Sequence, residues 1–132
     1  MKAESLARQF LPMFPAFSVY VVPGDFKAIE WEGFTIRATI HRDETTRPDE
    51  FDSYSPDDIA AWKCGEWEYV GVVLSIWVDD ICLDDHAASL WGIDCNYPGA
   101  DNLYLSECAD DLLGEALGAA RTARAKLLAK LK

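Results

Sequence analysis

The chain has 132 residues, 50% of them hydrophobic, 12% aromatic and 27% charged. That length sets one domain as the default, and that composition excludes a disordered tail, a collagen-like rod and a low-complexity linker. A net charge of −11 argues against direct nucleic-acid binding and against a polybasic membrane binder, and no apolar run reaches the roughly 18 to 20 residues that span a bilayer.

In chain order, residues 4–11 can form a short helix that Pro12 and Pro15 stop. The start of the chain mixes both charge signs and lacks a continuous apolar stretch, so no secretory signal is expected. Phe17 to Val22 is β-rich and ends at Pro23-Gly24. Phe26 to Glu32 then leads through Gly33 into Phe34 to Arg42. In that second run Phe34, Ile36, Ala38 and Ile40 share one face, and Thr35, Arg37, Thr39 and His41 the other. The pattern predicts a half-buried antiparallel strand, with Glu32-Gly33 as its hairpin turn.

Asp43 to Pro56 is polar, acidic and carries two prolines, the marks of a loop. Ser55-Pro56-Asp57-Asp58 reads as a helix start, with Ser as N-cap and Pro at the first helical position; the helix runs from Asp57 to about Lys63 and stops near Gly65. Glu66 to Val78 is the strongest strand. Val70, Val72, Leu74, Ile76 and Val78 line one side, and Trp67, Tyr69, Gly71, Val73, Ser75 and Trp77 the other. Asp79-Asp80 is a tight turn, Ile81 to Asp94 returns, Asp84-Asp85 reads as a bulge, and Asn96-Tyr97-Pro98-Gly99 closes the strand.

From Asp101 onward apolar residues recur at three- and four-residue steps, which predicts one long helix capped by Asp101 or Asn102. About 30 residues at 1.5 Å each span roughly 45 Å, more than the roughly 35 Å diameter of a compact domain of this size. The helix therefore overhangs, frays or bends. Gly114 and Gly118 either let it approach the sheet closely or mark the bend. The whole is α+β: an antiparallel sheet of four to five strands with the long helix across one face. The aromatics of the second face, Trp67, Tyr69 and Trp77 with Trp91 nearby, either cover the small elements or form an exposed patch for a partner.

Charge is blocked along the chain. Residues 1–47 are balanced, residues 48–120 carry seventeen acids against the single base Lys63, and residues 121–132 carry five bases and no acid. The basic end complements the macrodipole of the last helix. The central block is either a solubilising surface or an acidic face for a basic partner. Candidate contact residues are Asp49, Glu50, Asp52, Asp57, Asp58, Glu66, Glu68, Asp79, Asp80, Asp84 and Asp85, joined by Trp67, Tyr69, Trp77 and Trp91.

Catalytic patterns are lacking: the chain holds no glycine-rich phosphate loop, no His-Glu-x-x-His, no Gly-x-Ser-x-Gly and no calcium loop. Asp84-Asp85-His86 is the most metal-like cluster, but neighbouring residues on a strand point to opposite faces, and a solvated hairpin tip is the favoured reading. Cys64, Cys82, Cys95 and Cys108 form no Cys-x-x-Cys pair and are expected as reduced, cytoplasmic thiols. No enzyme activity, cofactor or metal site is expected.

Glu66-Trp-Glu-Tyr-Val-Gly-Val-Val-Leu74 and His86-Ala-Ala-Ser-Leu-Trp-Gly-Ile-Asp-Cys-Asn-Tyr-Pro98, continued by Leu105-x-Glu107-x-Ala109 and Leu112-x-x-Glu115-Ala-Leu117, resemble a family of small uncharacterised proteins of bacteriophages, prophages and plasmids. The likeness covers roughly residues 34–44 and 66–131 and carries no catalytic residues with it; the loop from Asp43 to Asp58 is shorter here than in that family. Such an origin implies a non-enzymatic binding protein, an inhibitor of a host defence system whose acidic face imitates DNA toward a basic nucleic-acid-binding effector. The alternative is a structural or oligomerisation module of phage or plasmid.

Overall fold

A computed structural model describes residues 13–131. The helix expected at residues 4–11 lies outside them. The remaining elements run as strand β1 (Phe26–Trp31), strand β2 (Phe34–Arg42), a 3-10 turn at Pro48–Glu50, helix α1 (Pro56–Lys63), strand β3 (Glu68–Val78), strand β4 (Ile81–Cys95) and helix α2 (Leu103–Lys130). The four strands form one antiparallel meander in the order β1-β2-β3-β4, and α2 packs across one face, mostly over β3 and β4. This is the α+β arrangement predicted from the alternation of β2 and β3.

Turn chemistry sets the register. Glu32 and Gly33 both have positive φ, 49° and 84°, the backbone that a two-residue hairpin with right-handed strand twist demands. Asp79 takes φ 53° in the β3–β4 turn. Phe34, Ile36, Ala38 and Ile40 of β2 and Val70, Val72, Leu74 and Ile76 of β3 are all buried. They meet Leu105, Ala109, Leu113, Ala116, Leu117 and Ala120 of α2 in one apolar core. Truncating any one of the large core side chains to alanine costs about 2–5 kcal/mol.

Ser55 accepts from Asp58 N at 3.1 Å and Asp58 Oδ2 accepts from Ser55 N at 3.1 Å, so α1 opens on a reciprocal capping box. Edge strand β4 carries register shifts against β3 between Val70 and Val72 and on either side of Ile76. The shifts beside Ile76 fall around Asp84-Asp85, as predicted. The shift near Val70 falls at Trp91-Gly92, where Gly92 takes φ 74°. Bulges of this kind twist an edge strand away from further pairing.

Phe17 to Val22 is no strand, contrary to its composition. Phe14, Phe17 and Val21 are buried in the core, but the segment's backbone is paired at Phe14, Val19 and Val21 by side chains instead of a ladder. Asn96 Oδ1 accepts from Val21 N at 2.9 Å, Asn96 Nδ2 donates to Val21 O at 2.7 Å, and Asn102 Nδ2 donates to Val19 O at 2.7 Å. Asp110 of α2 accepts from Phe14 N at 2.8 Å.

Helix α2 starts at Leu103, with Asn102 at the cap position as expected but without a side-chain cap. Asp101 accepts from Leu103 N at 3.1 Å, while Asn102 sits in the left-handed region (φ 64°) with its side chain turned inward, not capping. The last buried residue of the helix is Ala120; Arg121 and Arg124 still reach Glu32 of the β1–β2 turn at 3.6 Å each, while Leu127, Leu128 and Leu131 are exposed, so only the turns after Arg124 overhang the sheet. Gly114 and Gly118 do not bring α2 onto the sheet. Both are exposed, and a β-carbon at either would meet nothing within 4 Å among the described residues.

Candidate partner-binding surface

The eleven candidate contact acids of the middle block are split between the two ends of the sheet, while Glu107, Asp110, Asp111 and Glu115 stand on α2. Asp49, Glu50 and Asp52 stand on the loop, Asp57 and Asp58 in the first turn of α1, and Glu66 and Glu68 at the start of β3. Asp79, Asp80, Asp84 and Asp85 stand at the far end, in the β3–β4 turn and the neighbouring bulge. The eleven residues of β3 separate the two groups by about 33 Å. A single acidic side, implied by the block in the sequence, is therefore replaced by two acidic poles.

At the loop pole three cations line one open cleft with Trp62: Arg42, Arg47 and Lys63. Arg42 Nε pairs with Glu68 at 3.3 Å, and Arg47 Nε pairs with Asp49 at 3.2 Å while its guanidinium lies 5.0 Å from the Trp62 ring. The pole is thus acidic with two local pairs, both exposed and individually worth little.

Asp43 organises this loop. Oδ1 accepts from Thr45 N, Thr45 Oγ1 and Thr46 N at 3.0, 2.9 and 3.2 Å; Oδ2 accepts from Thr46 Oγ1 at 2.7 Å and from Gly92 N at 2.9 Å. Partial burial raises the affinity of its carboxyl for a proton, but the hydrogen bonds from Thr46 and Thr45 outweigh it and hold the pKa down to about 2. Through Gly92 the loop is tied to the bulge of β4. Nothing in the sequence around Asp43 distinguished it from its acidic neighbours.

Trp67 and Tyr69 are buried, 1% and 2% exposed, and present no surface to a partner. Their rings pack 5.2 Å apart, Tyr54 stacks on Trp67 at 5.2 Å and Tyr97 meets Trp67 edge-on at 5.2 Å. Trp67 Nε1 donates to Asp58 O at 2.9 Å and so clamps the first turn of α1. The aromatics at this end of the second face are a cover for the loop and α1. The Tyr69 hydroxyl is buried with no hydrogen-bond partner among the described residues.

The rest of that face is open. Trp77 is partly exposed and Trp91 is 44% exposed. The Arg37 guanidinium lies between the Phe26 ring at 5.0 Å and the Trp77 ring at 4.2 Å. Ser89 links Trp91 Nε1, at 3.2 Å, to His86 Nε2, at 2.9 Å. Asp84 Oδ1 accepts from His86 N at 3.0 Å, a local turn that leaves Asp84, Asp85 and His86 unconverged. Among the described residues no three His, Cys, Asp or Glu side chains gather as a metal-holding group.

The four cysteines are unpaired thiols; Cys64 and Cys82 are exposed, Cys108 is partly covered and Cys95 is buried. Burial, aided by Glu68, Asp94 and Asp25, pushes the Cys95 thiol up to about 12, the opposite of nucleophile activation. Among the described residues no helix is long and apolar enough to cross a membrane. Comparison with family models, with curated proteins and with solved structures finds no match to this chain.

Proposed function

We propose that the protein is a non-enzymatic binding protein of a mobile element that acts in the cytoplasm on a basic, nucleic-acid-binding effector of a host defence system, anti-CRISPR or anti-restriction in type. The observation that carries this reading is the excess of seventeen carboxylates over one amine between residues 48 and 120. The mobile-element part of the proposal rests on the resemblance of residues 66–74 and 86–98 to small phage and plasmid proteins. Exposed carboxylates at the loop pole (Asp49, Glu50, Asp52, Asp57 and Glu66) and at the turn pole (Asp79, Asp80 and Asp85) supply the field. The two poles lie at opposite ends of β3, a strand about 33 Å long. Trp77 and Trp91, on the open face between the poles, supply the apolar anchors that charge alone lacks.

The test is binding to a panel of purified DNA-binding nucleases at low and high ionic strength, with two neutralised variants. One carries Asp49→Asn, Glu50→Gln, Asp52→Asn and Asp57→Asn; the other carries Asp79→Asn, Asp80→Asn, Asp84→Asn and Asp85→Asn. Charge imitation predicts affinity that falls at least about tenfold with salt and with either variant. Binding indifferent to salt and to both variants refutes it.

A further inference from the structure

The sheet guards one of its edges and not the other. Edge strand β4 carries bulges and the carboxylates of Asp84, Asp85 and Asp94, features that keep a further strand from adding on. Strand β1 is the opposite edge, and all six of its residues pair with β2 without a shift. The Glu32-Gly33 turn has two residues, so Trp31 and Phe34 form a hydrogen-bonded pair, as do Ile29 with Ile36 and Lys27 with Ala38. Asp25 O, accepting from Ile40 N at 2.9 Å, continues that series. The N–H and C=O groups of Phe26, Ala28 and Glu30 therefore point away from β2, and among the described residues no backbone group bonds to them. Helix α2 lies mostly over β3 and β4 and meets β1 at Trp31, whose ring Arg121 covers at 4.9 Å.

We infer that two copies of the chain associate by antiparallel pairing of their β1 strands, so that the two sheets run on as one. A two-fold axis perpendicular to the sheet keeps both α2 helices on one side and requires opposed residues to share a face. Centred on Ala28, it meets that condition and uses every outward group. Phe26 then faces Glu30 of the second copy, Ala28 faces its counterpart, and about six backbone hydrogen bonds form. Charge selects a second copy as the occupant. Phe26 and Glu30 are exposed on the open face, and the Arg37 guanidinium lies over the Phe26 ring at 5.0 Å. Neither Arg37 nor Glu30 has an ion pair among the described residues. The register carries Glu30 of each copy beside the Phe26 ring under the other's Arg37, a pairing that occurs twice. On the helix side Lys27 comes opposite the half-buried Ile29, which its alkyl stem covers.

The test is light scattering on the full chain over a concentration series, joined to amide exchange at low and high protein concentration. The mass is expected to rise from 14.8 kDa toward twice that value and to fall back on dilution. Exchange at Phe26, Ala28 and Glu30 should slow as concentration rises, while Lys27 and Ile29, already bonded to β2 in each copy, should not respond. Ala28→Pro removes an outward donor that no bond within the sheet uses, so the variant should fold and stay at one chain mass. Glu30→Arg, at an exposed position, should weaken association about tenfold, and addition of Arg37→Glu should restore it. A single-chain mass at every concentration overturns the inference. So does a dimer untouched by Ala28→Pro or by Glu30→Arg, or exchange at Phe26, Ala28 and Glu30 that ignores concentration.

Discussion

Trp91 occupies the space over Gly71: a β-carbon built on Gly71 would lie 2.5 Å from Cδ2 and 2.7 Å from Cζ3 of the indole. The pair joins the neighbouring strands β3 and β4 where the bulge at Trp91-Gly92 shifts their register. Gly71 is needed because the backbone itself forms the floor under the ring. Gly71→Ala should expel the indole and cost about 1–3 kcal/mol, read from denaturant midpoints. The double variant Gly71→Ala plus Trp91→Ala should cost less in total than the two single effects summed, because the clash is gone. Additive losses would show that the ring and the glycine do not interact.

The buried Asn102 carries a second structural demand. Its Nδ2 donates to Val19 O and to Asn96 Oδ1 at 2.7 and 2.8 Å, and its Oδ1 accepts from Asn96 N at 2.9 Å. Tyr104 donates to Asp94 O at 2.5 Å beside them. Asn102→Ala leaves these groups unsatisfied, for about 1–3 kcal/mol, and adds about 1–2 kcal/mol for a β-carbon residue without Asn's local compensation at φ 64°. Asn102→Gly should recover only the backbone part. If glycine restores full stability, the hydrogen bonds contribute nothing and the cost is conformational.

Elements whose pattern is local were legible in the sequence. The alternation of Phe34 to Ile40, the Ser55-Pro56-Asp57-Asp58 start and the Glu32-Gly33 turn each encode their geometry within a few residues. Phe17 to Val22 was not legible, because its backbone partners are Asn96 and Asn102, more than seventy residues away. The burial of Trp67 and Tyr69 hinges on the distant Tyr54 and Tyr97 in the same way. A run of acids in sequence likewise says nothing of which end of a strand each occupies, and β3 sends Glu66 and Asp79 to opposite poles. Gly71 did carry a signal, a lone glycine inside a valine-rich strand, but its partner was readable only from the fold.

The thiols should separate by environment. Cys64 and Cys82 are exposed and should react with a chromogenic disulfide reagent in native protein near neutral pH. Cys95 should wait for unfolding, since burial both blocks access and keeps the thiol protonated, with its pKa near 12. Cys108, partly covered and with its pKa also raised by burial, should react late. Stoichiometry before and after denaturant is the measurement. Four equally fast thiols would contradict the packing of β4 against α2.

Asp43 gives the molecule an acid-sensitive loop. Its pKa is about 2 when folded, against 3.8 for the free side chain, because Thr46 and Thr45 donate to the charged form more strongly than partial burial opposes it. A depressed carboxyl contributes stability that is fully present above pH 4 and is lost as pH falls through the interval from about 4 to about 2. Asp43→Asn keeps the size but halves the acceptors and cannot titrate. It should destabilise the protein by about 1–3 kcal/mol at neutral pH, and its deficit relative to wild type should shrink between pH 4 and pH 2. The same substitution frees Gly92 N, 2.9 Å from the carboxylate, so amide exchange at Gly92 should quicken along with that at Thr45 and Thr46. A deficit constant across that pH interval would mean that the carboxylate charge plays no part in holding the loop to β4.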